Sequence, residues 1–411
     1  MHSPRRVSRF LPKLRLILFG LLVGAIVAET ALRLMGFSYP EFYRLDESRG
    51  YSLRPGAEGW YRKEGESYVR INSDGLRDRE HSKNKPADTI RIAVVGDSYA
   101  EALQVPMEAA FWSVMGTRLE SCGFAPGKKI EVINFGVSGY GTAQELITLR
   151  EQVWSYSPDV VLLAVTTNND VTDNLRSLKK TDRVPYFIYR DDQLVIDDSF
   201  KASRGFRFSQ TRLAATGRWL NDHSRLVQAL TEAHRGLKVL LSLLRRSARP
   251  GAAMAQIDVK PDIELLAHAN ELGIDNFVYL EPANQEWNDA WRITEGLIVM
   301  MHDEVRSRGA AFTLVTLSNG PQVLPDPDKR AEFMKHYGIT DLFYPDKRIK
   351  ALATREGINV ITLAPELQSY AERNKVYLHG FDANLGFGHW NATGHRVAGE
   401  LLAKSLCKEV H

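Results

Sequence analysis

Ser98 closes the run Arg91-Ile92-Ala93-Val94-Val95-Gly96-Asp97-Ser98, where an apolar strand gives way to a tight turn. A serine lifted above a sheet edge in this way is a candidate nucleophile. Its hydroxyl is a weak one, so it needs a base to take the proton and fixed donors to receive the charge its attack creates. The segment Gly388-His389-Trp390-Asn391-Ala392-Thr393-Gly394-His395 offers the base, His389, on a loop ahead of an amphipathic helix. Asn391 is a suitable N-cap for that helix, whose apolar positions include Val397, Leu401 and Leu402. Donors are offered by Asn134-Phe135-Gly136-Val137-Ser138-Gly139-Tyr140-Gly141 and by Thr166-Thr167-Asn168-Asn169-Asp170, each directly after an apolar run.

The elements that must position these residues alternate. Strands are expected at Ile92–Val95, Glu131–Phe135 and Val160–Val165, with helices around Met107–Glu120 and Thr142–Trp154 between them. After a break the pattern resumes with a helix near Asn288–Arg308, the strand Ala311–Leu317, a Pro-rich loop from Gly320, the strand Asn359–Leu363 and the last helix. Such alternation predicts an α/β fold with a parallel central sheet. The carboxyl ends of its strands line one crevice, where residues far apart in sequence converge.

The order serine, glycine, asparagine, histidine, with Gly96-Asp97-Ser98 in the first block, resembles the SGNH hydrolases, also called the GDSL-type esterase and lipase family. The resemblance covers the core and implies a flavodoxin-like sandwich with a parallel central sheet. It makes Ser98 the nucleophile and His389 the general base, and it builds an oxyanion hole from the Ser98 N–H, the Gly139 N–H and the Asn169 side chain. Two positions depart from the family pattern. Asn168 stands where the third block usually has glycine, and Gly386 stands where the last block usually has an aspartate three residues before the histidine. Asp382, on the same loop, could instead reach the other ring nitrogen of His389 and hold its tautomer; a backbone carbonyl is the alternative. The activity implied is hydrolysis of an acyl ester, with acyl transfer to a glycan hydroxyl as one alternative. A catalytically weak glycan-binding or assembly module, its acid lost at Gly386, is the other.

Other candidates have ordinary explanations. His395 should lie one turn into the last helix, as a structural residue. The Asp78-Arg79-Glu80-His81 match to an Asp-x-x-His pattern precedes the nucleophile in a charged linker. His379 and Asp382 lack the paired spacing of a zinc site, and no glycine-rich phosphate loop follows a strand, so neither metal nor cofactor is expected.

The chain has 411 residues, of which 44% are hydrophobic and 25% charged, with a formal net charge of +3. That composition fits one large globular domain with insertions, or two domains. Outside the first residues and Arg245-Arg246 there is no basic stripe with interleaved aromatics, so nucleic acid is not an expected partner.

Arg5, Arg6, Arg9, Lys13 and Arg15 precede the apolar run Leu16–Ala28, which can extend through Glu29 and Arg33 to Phe37. Basic residues before an apolar segment are an export signal, with the N-terminus cytoplasmic. The continuing pattern Ala31-Leu32-Arg33-Leu34-Met35 favours an uncleaved anchor; cleavage near Ala25, Ala28 or Ala31 is the competing outcome. In a bacterium this predicts a single-pass inner-membrane protein with its bulk in the periplasm, where an acylated carbohydrate or a lipid ester is the reasonable substrate. An oxidising compartment also permits Cys122 and Cys407 to pair. In flavodoxin-like order the first and last core helices lie side by side and bring their C-terminal ends together; two separate thiols are the alternative.

The expected organisation is an anchor over 1–37, a small β extension over 38–90, core over 91–174, a largely helical insertion over 175–284 that could serve as a lid, and core again over 285–411. Within the extension, Ser67-Tyr68-Val69-Arg70-Ile71 alternates as a half-exposed strand does, and Asn72-Ser73-Asp74-Gly75 carries turn chemistry.

Overall fold

The computed structural model describes residues 10–247 and 276–408. Four short strands pair as two antiparallel hairpins ahead of the core: β1 (Tyr43–Asp46) with β2 (Gly50–Leu53), and β3 (Glu58–Tyr61) with β4 (Ser67–Arg70). The sheet follows, from β5 (Thr89–Gly96), β6 (Lys129–Asn134) and β7 (Val160–Thr166). A hairpin of β8 (Tyr186–Arg190) and β9 (Gln193–Asp197) intervenes before β10 (Ala311–Leu317) and β11 (Asn359–Thr362). The five sheet strands are all parallel, in the spatial order β11-β10-β7-β5-β6. Counted along the chain this is 2-1-3-4-5, the flavodoxin-like arrangement.

Strands covered on both faces read as continuous apolar runs, and their alternation assigns each side chain to a face. Ala93, Val95, Leu163, Val165 and Leu314 pack in one cluster with helices Thr142–Glu151, Gln285–Ser307 and Tyr344–Glu356. Ile92, Val94, Leu162, Ala164, Val315 and Leu317 pack in another, with helices Phe111–Cys122, Ala364–Asn374 and Ala392–Lys408. The first and last of these core helices meet at Gly399, where a Cβ would come within 2.8 Å of the Val114 side chain. A Cys122–Cys407 disulfide joins their C-terminal ends.

The β extension has its own small core, in which Phe42, Leu53, Val69 and Ile71 pack on Leu103, Val137 and Tyr140. Those three partners lie in the loops after β5 and β6, so the extension sits at the carboxyl end of the sheet. Its Asn72–Gly75 turn forms as expected, with Gly75 at φ +77°.

Three differences from the expected organisation have physical reasons. The stretch after Gly320 holds helices Pro327–Tyr337 and Tyr344–Glu356, and Ala364–Asn374 is a third. Each has proline at its first or second position, where it starts a helix rather than marking a loop. The segment 175–284 is not one piece: β8, β9 and the residues to Gln210 belong to the same compact unit as the sheet, with Phe187, Phe200 and Phe206 buried. The helical stretch expected over Thr211–Leu244 is broken at Ser224 into Arg212–His223 and Arg225–Ser247. These two helices cluster instead with the N-terminal helix Phe10–Leu34 in a second unit. Arg5, Arg6, Arg9 and Pro250-Gly251 lie outside the described residues.

Candidate active site

The sheet order creates a crevice between β5 and β7, because the chain leaves β5 toward β6 and then returns to the other side of β5. Ser98 follows β5 and Asn169 follows β7, so they face each other across that switch point. Asp97 caps the four-residue helix Ser98–Glu101 by accepting from the Tyr99 N–H at 2.9 Å. The turn is tight enough that a Cβ on Gly96 would come within 3.0 Å of the Ala164 carbonyl oxygen.

His389 Nε2 lies 2.8 Å from Ser98 Oγ. Its other nitrogen, Nδ1, meets a carboxylate that belongs to Glu64, and Glu64 Oε1 also accepts from the His389 backbone N–H at 2.7 Å. Glu64 sits in the turn between β3 and β4. The hairpin tip is seated on the core: a Cβ on Gly65 would touch the Gln104 carbonyl and the Phe381 ring, and Ser67 Oγ donates to the Leu103 carbonyl at 2.5 Å. All three side chains are largely removed from solvent, with Ser98 6% exposed and the His389 and Glu64 side chains 10% and 13%.

Asp382 does not hold the position expected of it. It begins a short exposed turn, Asp382–Asn384, at φ +49°, while the Nδ1 side of His389 is taken by Glu64. The reason no acid stands at Gly386 is steric as well. Gly386 has φ +92°, and a Cβ there would come within 2.8 Å of Leu324 and 3.2 Å of Tyr377. Gly388, at φ +78°, clears the space that the Glu64 carboxylate enters, since a Cβ on it would overlap that group.

The loop is locked from behind. His379 Nδ1 hydrogen-bonds the Gly388 carbonyl oxygen at 2.7 Å, and its Nε2 pairs with Ser318 Oγ at 3.1 Å. Trp390 Nε1 donates to the same Ser318 hydroxyl at 2.9 Å. Burial drives the His379 pKa down to about 4, which keeps the ring neutral. Asn391 caps the last helix through the Thr393 and Gly394 N–H groups, both at 3.0 Å.

On the donor side, Gly139 has φ +73° and its carbonyl is turned toward Lys179 Nζ at 2.6 Å. Tyr51 Oη donates to the Ser138 carbonyl at 2.9 Å. Glu101, four-fifths of a turn past Ser98 and fully buried, accepts from the Ser138 N–H at 2.7 Å and from the Tyr43 hydroxyl at 2.9 Å. One short helix therefore carries the serine and also fixes the loop that presents Gly139. Burial pushes the Glu101 carboxyl up, and the Ser138 and Tyr43 donors pull it back. Asn169 Nδ2 donates to Asp97 Oδ2 at 3.2 Å, which leaves its second amide hydrogen for another acceptor. Asn168 is the N-cap of helix Asn169–Asp173. Beneath this loop Glu145 and Asp170 are fully buried; burial, and then their mutual repulsion for Asp170, pushes both carboxyls well above the usual range.

The remaining sequence candidates lie elsewhere. His395 is buried, stacks on Phe111 and accepts from the Phe111 N–H at 3.3 Å. His81 is wedged between Asp78 at 3.2 Å and Glu131 at 2.7 Å, near the amino ends of β5 and β6 and so at the opposite end of the sheet from Ser98. Among the described residues no group of three or more His, Cys, Asp and Glu side chains could hold a metal ion. Sequence reading missed Glu64, Glu101, Tyr51 and Lys179. Each lies in a segment that reads locally as a polar turn, a helix or a strand, and only the fold brings it to the crevice.

No protein-family model matches the chain, and no curated protein matches it. Among solved structures, it is similar to the acetyl xylan esterase AlAXEase at 14% identity over 77% of this chain and 99% of that one, with a TM-score of 0.36. It is also similar to a catalytic mutant of Axe2, an acetylxylan esterase from Geobacillus stearothermophilus, at 10% identity over 80% and 96% of the two chains, TM-score 0.36. A third is the lipase/acylhydrolase from Enterococcus faecalis, at 10% identity over 78% and 96%, TM-score 0.33.

Proposed function

We propose that this chain is a serine ester hydrolase of the SGNH type that works with Glu64, in place of the family's aspartate, behind its histidine. The observation that carries the reading is the continuous line Glu64–His389–Ser98, joined at both ring nitrogens of His389. Glu64 holds the proton on Nδ1, so that Nε2 is free to accept from Ser98. As Oγ attacks the ester carbonyl carbon, its proton passes to Nε2 and the carbonyl oxygen takes up the negative charge. The N–H groups of Ser98 and Gly139 and the free amide hydrogen of Asn169 are the donors for that oxygen. Ser98 is the first residue of its helix, where the N–H has no intrahelical acceptor. Collapse of the tetrahedral intermediate breaks the bond to the alcohol oxygen, which leaves with the proton from His389. Water then loses a proton to His389, attacks the acyl-serine, and the acid departs as Ser98 recovers its proton.

The glycan-binding alternative supposed a missing acid, and Glu64 beside His389 Nδ1 supports the hydrolase reading over it. The substrate we favour is an acyl ester, an O-acetyl group included, on an envelope or exported glycan, met on the far side of the inner membrane. That address rests on the helix Pro12–Leu34, which is apolar enough to span a bilayer, with a mean hydropathy of 2.0 and none of it buried, and on the basic residues ahead of it. The test is turnover of p-nitrophenyl acetate by the detergent-purified full chain against Ser98→Ala. Hydrolysis that is lost in a folded Ser98→Ala protein supports the reading; equal rates for both proteins reject it.

A further inference from the structure

Ester chemistry at the crevice leaves the second compact unit without a role. Its three helices are Phe10–Leu34, Arg212–His223 and Arg225–Ser247. The first is tied to the start of the third. Glu29 accepts from Ser224 Oγ at 2.9 Å and from the N–H groups of Arg225 and Leu226 at 3.0 and 2.9 Å, so it serves as the cap for that helix. Arg33 donates to the His223 carbonyl at 2.7 Å, and the Tyr39 N–H to Gln228 Oε1 at 2.9 Å.

Beyond that junction the third helix carries Leu226, Leu230, Ala233, Leu237 and Leu241 at spacings of four, three, four and four residues, which is one face of a helix. Past the half-buried Leu226 the face is bare: Leu230 is 62% exposed, Leu237 52% and Leu241 43%. The preceding helix adds exposed Trp219 and Leu220. A hydrophobic ridge of this length in water needs a cover.

We propose that the cover is the bilayer surface itself: the helices Arg212–His223 and Arg225–Ser247 lie in the headgroup layer with the leucine face toward the acyl chains. The occupant follows from the junction. Glu29 is five residues, about 7 Å along the axis, from the end of a helix that carries a long apolar stretch with none of it buried. The helix that Glu29 caps therefore starts at interfacial depth. An interfacial helix is recognised by a strong apolar face, low overall hydrophobicity and cationic residues on the other flank. Arg218, on the side of its helix away from Leu220, and Lys238, at the edge of the leucine face, are of that kind. This inference rests on the reading of Pro12–Leu34 as a membrane span.

The test uses the full chain reconstituted into phosphatidylethanolamine–phosphatidylglycerol vesicles, with the environment-sensitive dye NBD on Leu237→Cys and, separately, on Gly236→Cys. The native cysteines are joined to each other, so the dye goes to the introduced thiol. Gly236 is the adjacent position on another face, and a Cβ there meets nothing within 4 Å. The expected result is emission shifted to shorter wavelength and quenched by nitroxide-bearing lipid at 237, with water-like emission at 236. Water-like emission at 237 in protein that floats with the vesicles overturns the interfacial face while leaving the span intact. A blue shift at 237 without lipid quenching means that protein covers the ridge, and also overturns it. Protein that fails to float with the vesicles overturns both readings.

Discussion

Glu64 reaches His389 from 325 positions earlier in the chain and binds it twice, at the backbone N–H and at Nδ1. A hairpin outside the sheet thus supplies the carboxylate that holds the ring of a histidine on the last loop. Without that hairpin, the core would hold a serine and a histidine with no acid behind them.

Replacing Glu64 by Gln keeps the shape and removes the charge, so the ring loses its stabilised imidazolium and its fixed tautomer. We expect kcat for p-nitrophenyl acetate to fall on the order of 10²–10⁴-fold with KM little changed. Asp382→Asn, on the exposed turn, should stay within about twofold of wild type. Steady-state kinetics of the two variants side by side separate these roles.

Returning the family's acid to its usual place should not repair the Glu64→Gln protein. At Gly386 an aspartate must adopt φ near +92° and push its Cβ against Leu324 and Tyr377. The Gly386→Asp, Glu64→Gln double variant should be inactive and less stable than Glu64→Gln by about 1–3 kcal/mol. Urea unfolding of both proteins measures the difference.

Asn169→Ala removes one of the proposed donors to the oxyanion and one hydrogen bond to Asp97. The loss expected in kcat is about 10²–10³-fold, with KM nearly constant. Asn168→Ala removes a helix cap instead and should cost about 1 kcal/mol of stability, with a smaller effect on turnover.

Stability should depend on pH at both ends. His379 titrates near 6.5 when unfolded and at about 4 when folded. Between those values the unfolded state binds more protons, so the contribution is full above pH 6.5 and is lost as pH falls through 4, about 3 kcal/mol in all. Glu145 shifts the other way, upward by burial. Its contribution is full below the ordinary carboxyl pKa of 4.5 and is lost as pH rises through the folded value. Unfolding midpoints measured from pH 4 to 9 should therefore show a shallower acid limb in His379→Asn and a shallower alkaline limb in Glu145→Gln.

Much of this arrangement is legible in the sequence, because sheet strands buried on both faces announce themselves as apolar runs. Ser98, Gly139 and Asn169 stand directly after three of those runs, and the flavodoxin-like order brings them to one edge. The same order brings the C-terminal ends of the first and last core helices together, and of the two outcomes that left open for Cys122 and Cys407 the structure has the disulfide. What could not be read is Glu64. Lys63-Glu64-Gly65-Glu66 looks like any solvated hairpin turn, and its approach to His389 depends on how Val69 and Ile71 seat the extension on Leu103 and Val137. Gly388 is the one residue of the last loop that makes room for it: at φ +78° it leaves open the space that the Glu64 carboxylate enters. The helices after Gly320 were hidden by prolines that begin helices there.

The central claim is that Ser98 is activated through His389 by Glu64. Labelling of the full chain with a fluorophosphonate probe, with the modified peptide identified by mass spectrometry, tests it most directly. A single adduct on Ser98 is expected, formed rapidly in wild type and far more slowly in His389→Ala and Glu64→Gln. An adduct on another residue, or labelling of Ser98 at an unchanged rate in those two variants, would contradict it.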